Sequence, residues 1–303
     1  MMRVLPSITV DEAKLVSTTV AVEDPSPVWA PGTNWAKDAL CHRVQTHRVY
    51  RRITAGTTPT APESDGDNWQ DLRPTNKWAM FDDLRSTRTR VEGGPLTVVI
   101  NPGQRVDSVG LVGLVGKKAT ISSTKGGITV TREFSLVRRN VSNWYEYFTA
   151  PIEQRDAAVT WDLPPNWGAT ITVTIEPIGG VAECGRLSLG MGVAIGELLW
   201  NYDDDALNFS RIERDFAGSL MALVRRRSVP GSTLPVRVDA ARFMRVRALR
   251  EELNAVPALW VCWTRYPDAP YAQGAIYYGI YRRFSLKPEN KLYAMAQLEL
   301  EET

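Results

Sequence analysis

Histidine is almost missing from this chain: His42 and His47 are the only two in 303 residues. Any Ser-His-Asp or Cys-His nucleophile system would have to recruit one of them. Cys41 sits beside His42, but neighbours in a strand point to opposite faces, so a buried thiol next to a surface imidazole is the simpler expectation. The three cysteines, Cys41, Cys184 and Cys262, are odd in number, widely spaced and without a Cys-x-x-Cys pair. That argues against both a disulfide framework and a zinc site. Neither charge sign dominates, with 36 basic against 34 acidic residues and a net charge of +2. Such a balance gives no global field toward nucleic acid or a membrane. Long apolar runs are lacking too: none approaches the roughly 18 residues of a membrane span. The opening Met1-Met2-Arg3-Val4-Leu5-Pro6 has no continuous apolar signal core. We expect no membrane span, no metal and no cofactor, and we expect nucleic acid not to be a partner.

What is present is the composition of a folding chain. Hydrophobic residues make up 44% and charged residues 23%, near the values for globular proteins, and the length suits two or three domains. Short alternating runs at Ser7–Val10 and Ser17–Val22 read as strands. From Leu96 onward β signals dominate, at Leu96–Ile100, Ser108–Val115, Ala119–Ser122, Gly127–Thr131, Ala157–Leu163 and Ala169–Ile175. In the last of these, Ile171, Val173 and Ile175 share one face. Strands of this length with glycine and proline turns predict a β-sandwich, jelly-roll-like, over about 83–200. Further on, Asp239 can cap a helix over about 239–254, with Phe243, Val246, Leu249 and Leu253 at helical spacing and Pro257 beyond it. Strands at Ala258–Thr264, Ala275–Phe284 and Leu292–Leu300 complete a small α+β domain over 201–303.

The densest pattern lies between Pro27 and Asp82. It runs through Trp29-Ala30-Pro31-Gly32, Val44 to Tyr50, a turn-rich stretch from Ala55 to Asp67 that should be an exposed loop, and Trp69-Gln70-Asp71-Leu72. These elements resemble the chitin-binding type of carbohydrate-binding module, in which a Trp-x-x-Gly segment, a strand ending in Tyr and a closing Trp-x-x-Leu build a compact three-stranded unit. The continuation Asn76 to Asp82 resembles the junction that follows such modules in bacteriophage tail proteins. The resemblance implies a virion location, assembly inside the host cytoplasm, and other tail proteins as partners. It also implies a homo-oligomer and a host surface glycan as a ligand.

Flat rings can stack on sugar faces, so Trp29, Trp35, Tyr50 and Trp69 are the ligand-binding candidates. The competing expectation is that so small a module spends its tryptophans on its core. Gly110 to Lys118 brushes against a phosphate loop, but Leu111 stands where its first glycine is needed and Lys118 where the Ser/Thr is needed. Asp203-Asp204-Asp205 fails the calcium-loop pattern and reads as a solvated acidic loop. Arg225-Arg226-Arg227 and the helix arginines, interleaved with Glu251 and Glu252, read as a solvated face or a subunit interface. Asn143 to Phe148 and Trp161 to Trp167 read as packing or interface residues. No set of residues marks a catalytic site, and no enzyme activity is expected.

The chain is thus expected to be mainly β: an N-terminal arm (1–26), a three-stranded module-like unit (27–82), the sandwich (83–200) and the α+β domain (201–303). The expected role is structural, in a phage tail tip or baseplate that anchors or presents host-recognition modules. Glycan capture through the module's aromatics is the alternative.

Overall fold

Alternation decides the middle of the chain. In a computed structural model, which describes residues 1–138, 143–151, 153–226, 228–264 and 272–303, the strand Thr170–Glu176 buries Ile171, Val173 and Ile175 and leaves its threonines partly exposed. It is the central strand of a five-stranded antiparallel sheet. The order is Ile128–Ser135, Lys118–Lys125, Thr170–Glu176, Leu96–Ile100 and Leu15–Thr18. Leu96, Val98 and Ile100 on one neighbour, and Ala119 and Ile121 on the other, continue the buried face. The glycine-punctuated run beginning at Gly110 serves packing: Ser108–Val112 is a strand buried along its whole length. A Cβ on Gly116 would come within 2.6 Å of Ile175 Cγ2 and 2.7 Å of the Glu176 carbonyl oxygen. The protein is mainly β, with two α-helices among the described residues, Trp144–Thr149 and Phe243–Glu252.

Residues 8–187 form one compact unit, and residues 1–7 with 188–303 form the other. Within the first, residues 27–82 hold a three-stranded antiparallel sheet of Leu40–Arg43, Arg48–Arg52 and Trp69–Pro74. A two-residue pairing of Asn34–Trp35 with Gly56–Thr57 lies beside them. The turn-rich stretch from Ala55 to Asp67 is only partly the exposed loop its composition suggests. Pro62 is buried at the head of a 3-10 turn, and Glu63 pairs with Arg43 at 2.8 Å.

The second unit is a closed ring of strands. Val193–Leu198, Met2–Pro6, Ala258–Val261, Ile276–Pro288, Tyr293–Glu302 and Ser228–Asp239 follow one another in antiparallel register, and the last pairs back onto the first through Glu197↔Arg237 and Leu198↔Val236. Closure removes the unpaired edges an open sheet would present. The interior is filled by side chains, as a ring of so few strands requires. Val4, Ile195, Leu234, Val236, Val238, Trp260 and Leu298 are among them, and the helix Phe243–Glu252 adds Val246 and Leu249, with Leu253 just beyond it. Trp260 donates its indole N–H to the Gly279 carbonyl at 3.1 Å, so its one polar atom is satisfied inside.

Two expected boundaries therefore move. The 1–26 segment is no single arm: Met2–Pro6 is a strand of the ring, while Leu15–Thr18 is the edge strand of the five-stranded sheet. The C-terminal unit begins near residue 188, not 201, and borrows its second ring strand from the chain's start. Local composition cannot reveal either fact, because both depend on distant pairing partners: Leu96–Ile100 for Leu15–Thr18, and Val193–Leu198 and Ala258–Val261 for Met2–Pro6.

Candidate assembly surface

The four rings expected to meet a ligand meet one another instead. Trp29, Trp35, Tyr50 and Trp69 are exposed by only 8%, 9%, 4% and 2%, and with Cys41 they form one core cluster. Trp35 and Trp69 pack edge to face at 5.7 Å. Arg43 and Arg52 cover Trp29 and Trp69 at 4.8 Å and 4.9 Å, a cation–π contact that strengthens when desolvated. Arg52 is itself buried and donates from Nε to the Thr54 carbonyl at 2.6 Å. Burial pushes the Cys41 thiol up to about 12, despite the opposing charges of Arg43 and Arg52. The physical reason is size: a unit of three short strands reaches a dry interior only with large side chains. Arginines thus lie over a face of Trp29 and of Trp69, and all four rings are buried.

The two histidines are likewise structural. Ser26, His42 and Asp24 lie together, but their bonds run the wrong way for nucleophile activation. Ser26 Oγ donates to Asp24 Oδ1 at 2.7 Å, and His42 Nδ1 meets the Ser26 carbonyl oxygen at 2.7 Å. A carbonyl only accepts, so Nδ1 carries the proton there and offers no lone pair to the Ser26 hydroxyl, 3.3 Å away. Asp24 is instead a joint. It accepts from Arg73 Nη1 at 2.7 Å and from the backbone N–H groups of Ser26 at 3.0 Å and Asn76 at 3.2 Å. Burial alone would raise its carboxyl, but the donors Arg73 and Ser26 outweigh that and hold it below the usual range. His47 meets Glu23 at 2.8 Å and stacks on Trp78 at 4.2 Å. Asn76 donates to the Arg90 carbonyl and accepts from the Arg90 N–H, so the Pro74-to-Asp82 stretch ties the module to the strand Thr89–Glu92.

What is left uncovered lies elsewhere. From Asp203 to Thr233 the ring's Ser228–Asp239 strand runs on beside Asp203–Asn208, and beyond that the chain continues as a two-stranded hairpin of Arg211–Arg214 with Leu220–Val224. Leu207, Phe209, Ile212, Phe216, Leu220, Met221, Leu223 and Val224 are all exposed, Phe216 completely. A two-stranded hairpin is marginal alone in water, and apolar side chains on both its faces have nothing to pack on. The Asp203–Asp205 run is a strand here, not an acidic loop. Among the described residues no cluster of three or more His, Cys, Asp or Glu is placed to hold a metal ion. Arg225 and Arg226 follow the last strand of the hairpin; Arg227, the third of the expected basic triplet, lies outside the described residues.

A second exposed group is the short helix Trp144–Thr149, capped by Asn143, whose side chain accepts from the Glu146 N–H at 2.9 Å. Trp144, Tyr145 and Phe148 are exposed by 80%, 76% and 76%. Tyr147 sits at right angles to Phe148, 5.2 Å away, so the rings form a ridge and not a flat platform. The sequence signalled these aromatics but not their exposure. The hairpin's Leu220–Val224 is a continuous apolar run that nothing in the sequence marks as exposed. The chain matches no protein-family model, no curated protein and no solved structure.

Proposed function

We propose that this protein is a structural component of a bacteriophage tail tip or baseplate, where it anchors or presents host-recognition modules. One observation carries the structural part of this reading: the open hairpin of residues 203–233, which leaves eight large apolar residues exposed. An exposed apolar surface of this kind marks a site of contact with another protein, and it serves assembly without needing a reaction. The virion location rests on the motif order of residues 27–82, which resembles a carbohydrate-binding module followed by a tail-protein junction. In this reading that unit is kept as an attachment device, and the strands between residues 83 and 187 are a jelly-roll-like sandwich. Glycan capture draws no support from Trp29, Trp35, Tyr50 and Trp69, because their faces are buried.

The test is incorporation. A variant in which residues 209–226 are replaced by a tight turn keeps the ring and loses the exposed hairpin. Purified particles should contain the full-length protein and exclude the shortened one, while both fold. Normal incorporation of the shortened chain, or absence of the full-length protein from particles, would overturn the reading.

A further inference from the structure

The charge on the open hairpin is segregated along its length. Its root, residues 203–209 with 228–233, carries Asp203, Asp204 and Asp205 and no basic residue. Its distal half carries Arg211, Arg214, Arg225 and Arg226 against Glu213 and Asp215. Arg211 pairs with Glu213 on its own strand, and Arg214 Nη1 donates to the Gly218 carbonyl at 3.0 Å. Among the described residues, Asp203, Asp204 and Asp205 have no cationic partner, and Arg214, Arg225 and Arg226 have no carboxylate partner. Asp204 accepts only from the Tyr277 hydroxyl, at 3.1 Å. The acidic root lies on Asp203–Asn208 and the start of Ser228–Asp239, and the basic distal half on and just beyond the separate pair Arg211–Arg214 and Leu220–Val224; among the described residues no ion pair joins the two.

We propose that the hairpin docks on the hairpin of a second copy of this chain, the two lying antiparallel about a twofold axis. This deepens the assembly reading above and rests on it. Antiparallel contact sets the acidic root of each copy against the basic distal half of the other. Parallel contact would set like charges together, which costs free energy. Both copies then use the same surface, the condition for a closed isologous pair. The outer edge of Asp203–Asn208 has no strand beside it among the described residues, so backbone pairing between copies can add to side-chain contact.

Light scattering on the purified full-length chain tests this across a range of concentrations. The expected mass is about twice the 33.8 kDa of one chain, with dissociation favoured by salt. Reversing the root (Asp203→Lys with Asp205→Lys) or the distal half (Arg214→Glu with Arg225→Glu) should raise the dissociation constant by about tenfold or more. Mixing the two reversed variants should restore the dimer mass, which also proves both are folded. A monomeric wild-type chain, a mass of three or more chains, reversed variants that dimerise like the parent, or a mixture that stays monomeric would each overturn the pairing. A monomer still built into particles would end this inference and leave the structural role standing. A dimer missing from particles would do the reverse.

Discussion

The module at residues 27–82 and the hairpin at 203–233 are both small β units rich in large apolar residues, and they use them in opposite ways. The module turns Trp29, Trp35, Tyr50 and Trp69 inward and screens them with Arg43 and Arg52. The hairpin leaves Phe209, Ile212, Phe216 and Met221 in solvent. Three strands, a 3-10 turn and a buried arginine enclose a volume; two strands cannot. Hydrophobic content alone therefore does not distinguish a core from an exposed surface. What distinguishes them is whether the local chain can supply a second layer.

That contrast sets the expected sizes of mutational effects. Trp69→Ala should cost the most stability, about 3–5 kcal/mol, since it empties a large buried volume; urea melts of the whole chain would show it as an early transition. A loss under about 1 kcal/mol would mean the rings do not form the module's core. Next comes Asp24→Asn, at about 1.5–3 kcal/mol, the worth of hydrogen bonds to a charged group. Asp24 is held below the usual carboxylate range by Arg73 and Ser26. Its stabilisation is therefore complete above the unfolded value near 4 and fades as pH falls through its lower folded value. Melts between neutral pH and pH 3 should show a shallower acid loss in the variant. An unchanged slope would remove Asp24 from the joint.

Gly196→Ala probes the ring in the same terms. A Cβ there would collide with the Arg237 carbonyl at the closing seam, so overpacking should cost about 1–3 kcal/mol. A variant as stable as the parent would show that the seam gives way easily. Smallest of all, Phe216→Ser should change stability by no more than about 0.5 kcal/mol while lowering self-association in light scattering. A large loss of stability would mean Phe216 is covered within the chain and would erase the contrast between the two regions.

Much of the secondary structure was legible because it is local. Leu96–Ile100 runs between the residues its composition suggests, and Ile171, Val173 and Ile175 are buried as their alternation requires. The helix keeps Val246, Leu249 and Leu253 inside, although Phe243 is only partly covered and Asp239 makes no side-chain cap. The candidate surface was far less legible. A buried tryptophan and an exposed one look alike in a sequence, and the hairpin's Leu220–Val224 is as continuous an apolar run as the buried Ala258–Val261. Which face another layer covers is decided by pairings hundreds of residues apart, as with Met2–Pro6 between Val193–Leu198 and Ala258–Val261.

That first strand also fixes an order of events during synthesis. Met2, Val4 and Leu5, wholly buried in the finished ring, leave the ribosome before either strand they pair with exists. Residues 8–187, which form a unit of their own, can fold in the interval, whereas the ring cannot close until its last strand, Tyr293–Glu302, has been made. Contacts of such sequence separation form slowly. The nascent chain thus carries a short apolar segment that must be kept from other partners until the last ring strand has been made, and the root of the hairpin gains its full set of ring neighbours only after that closure.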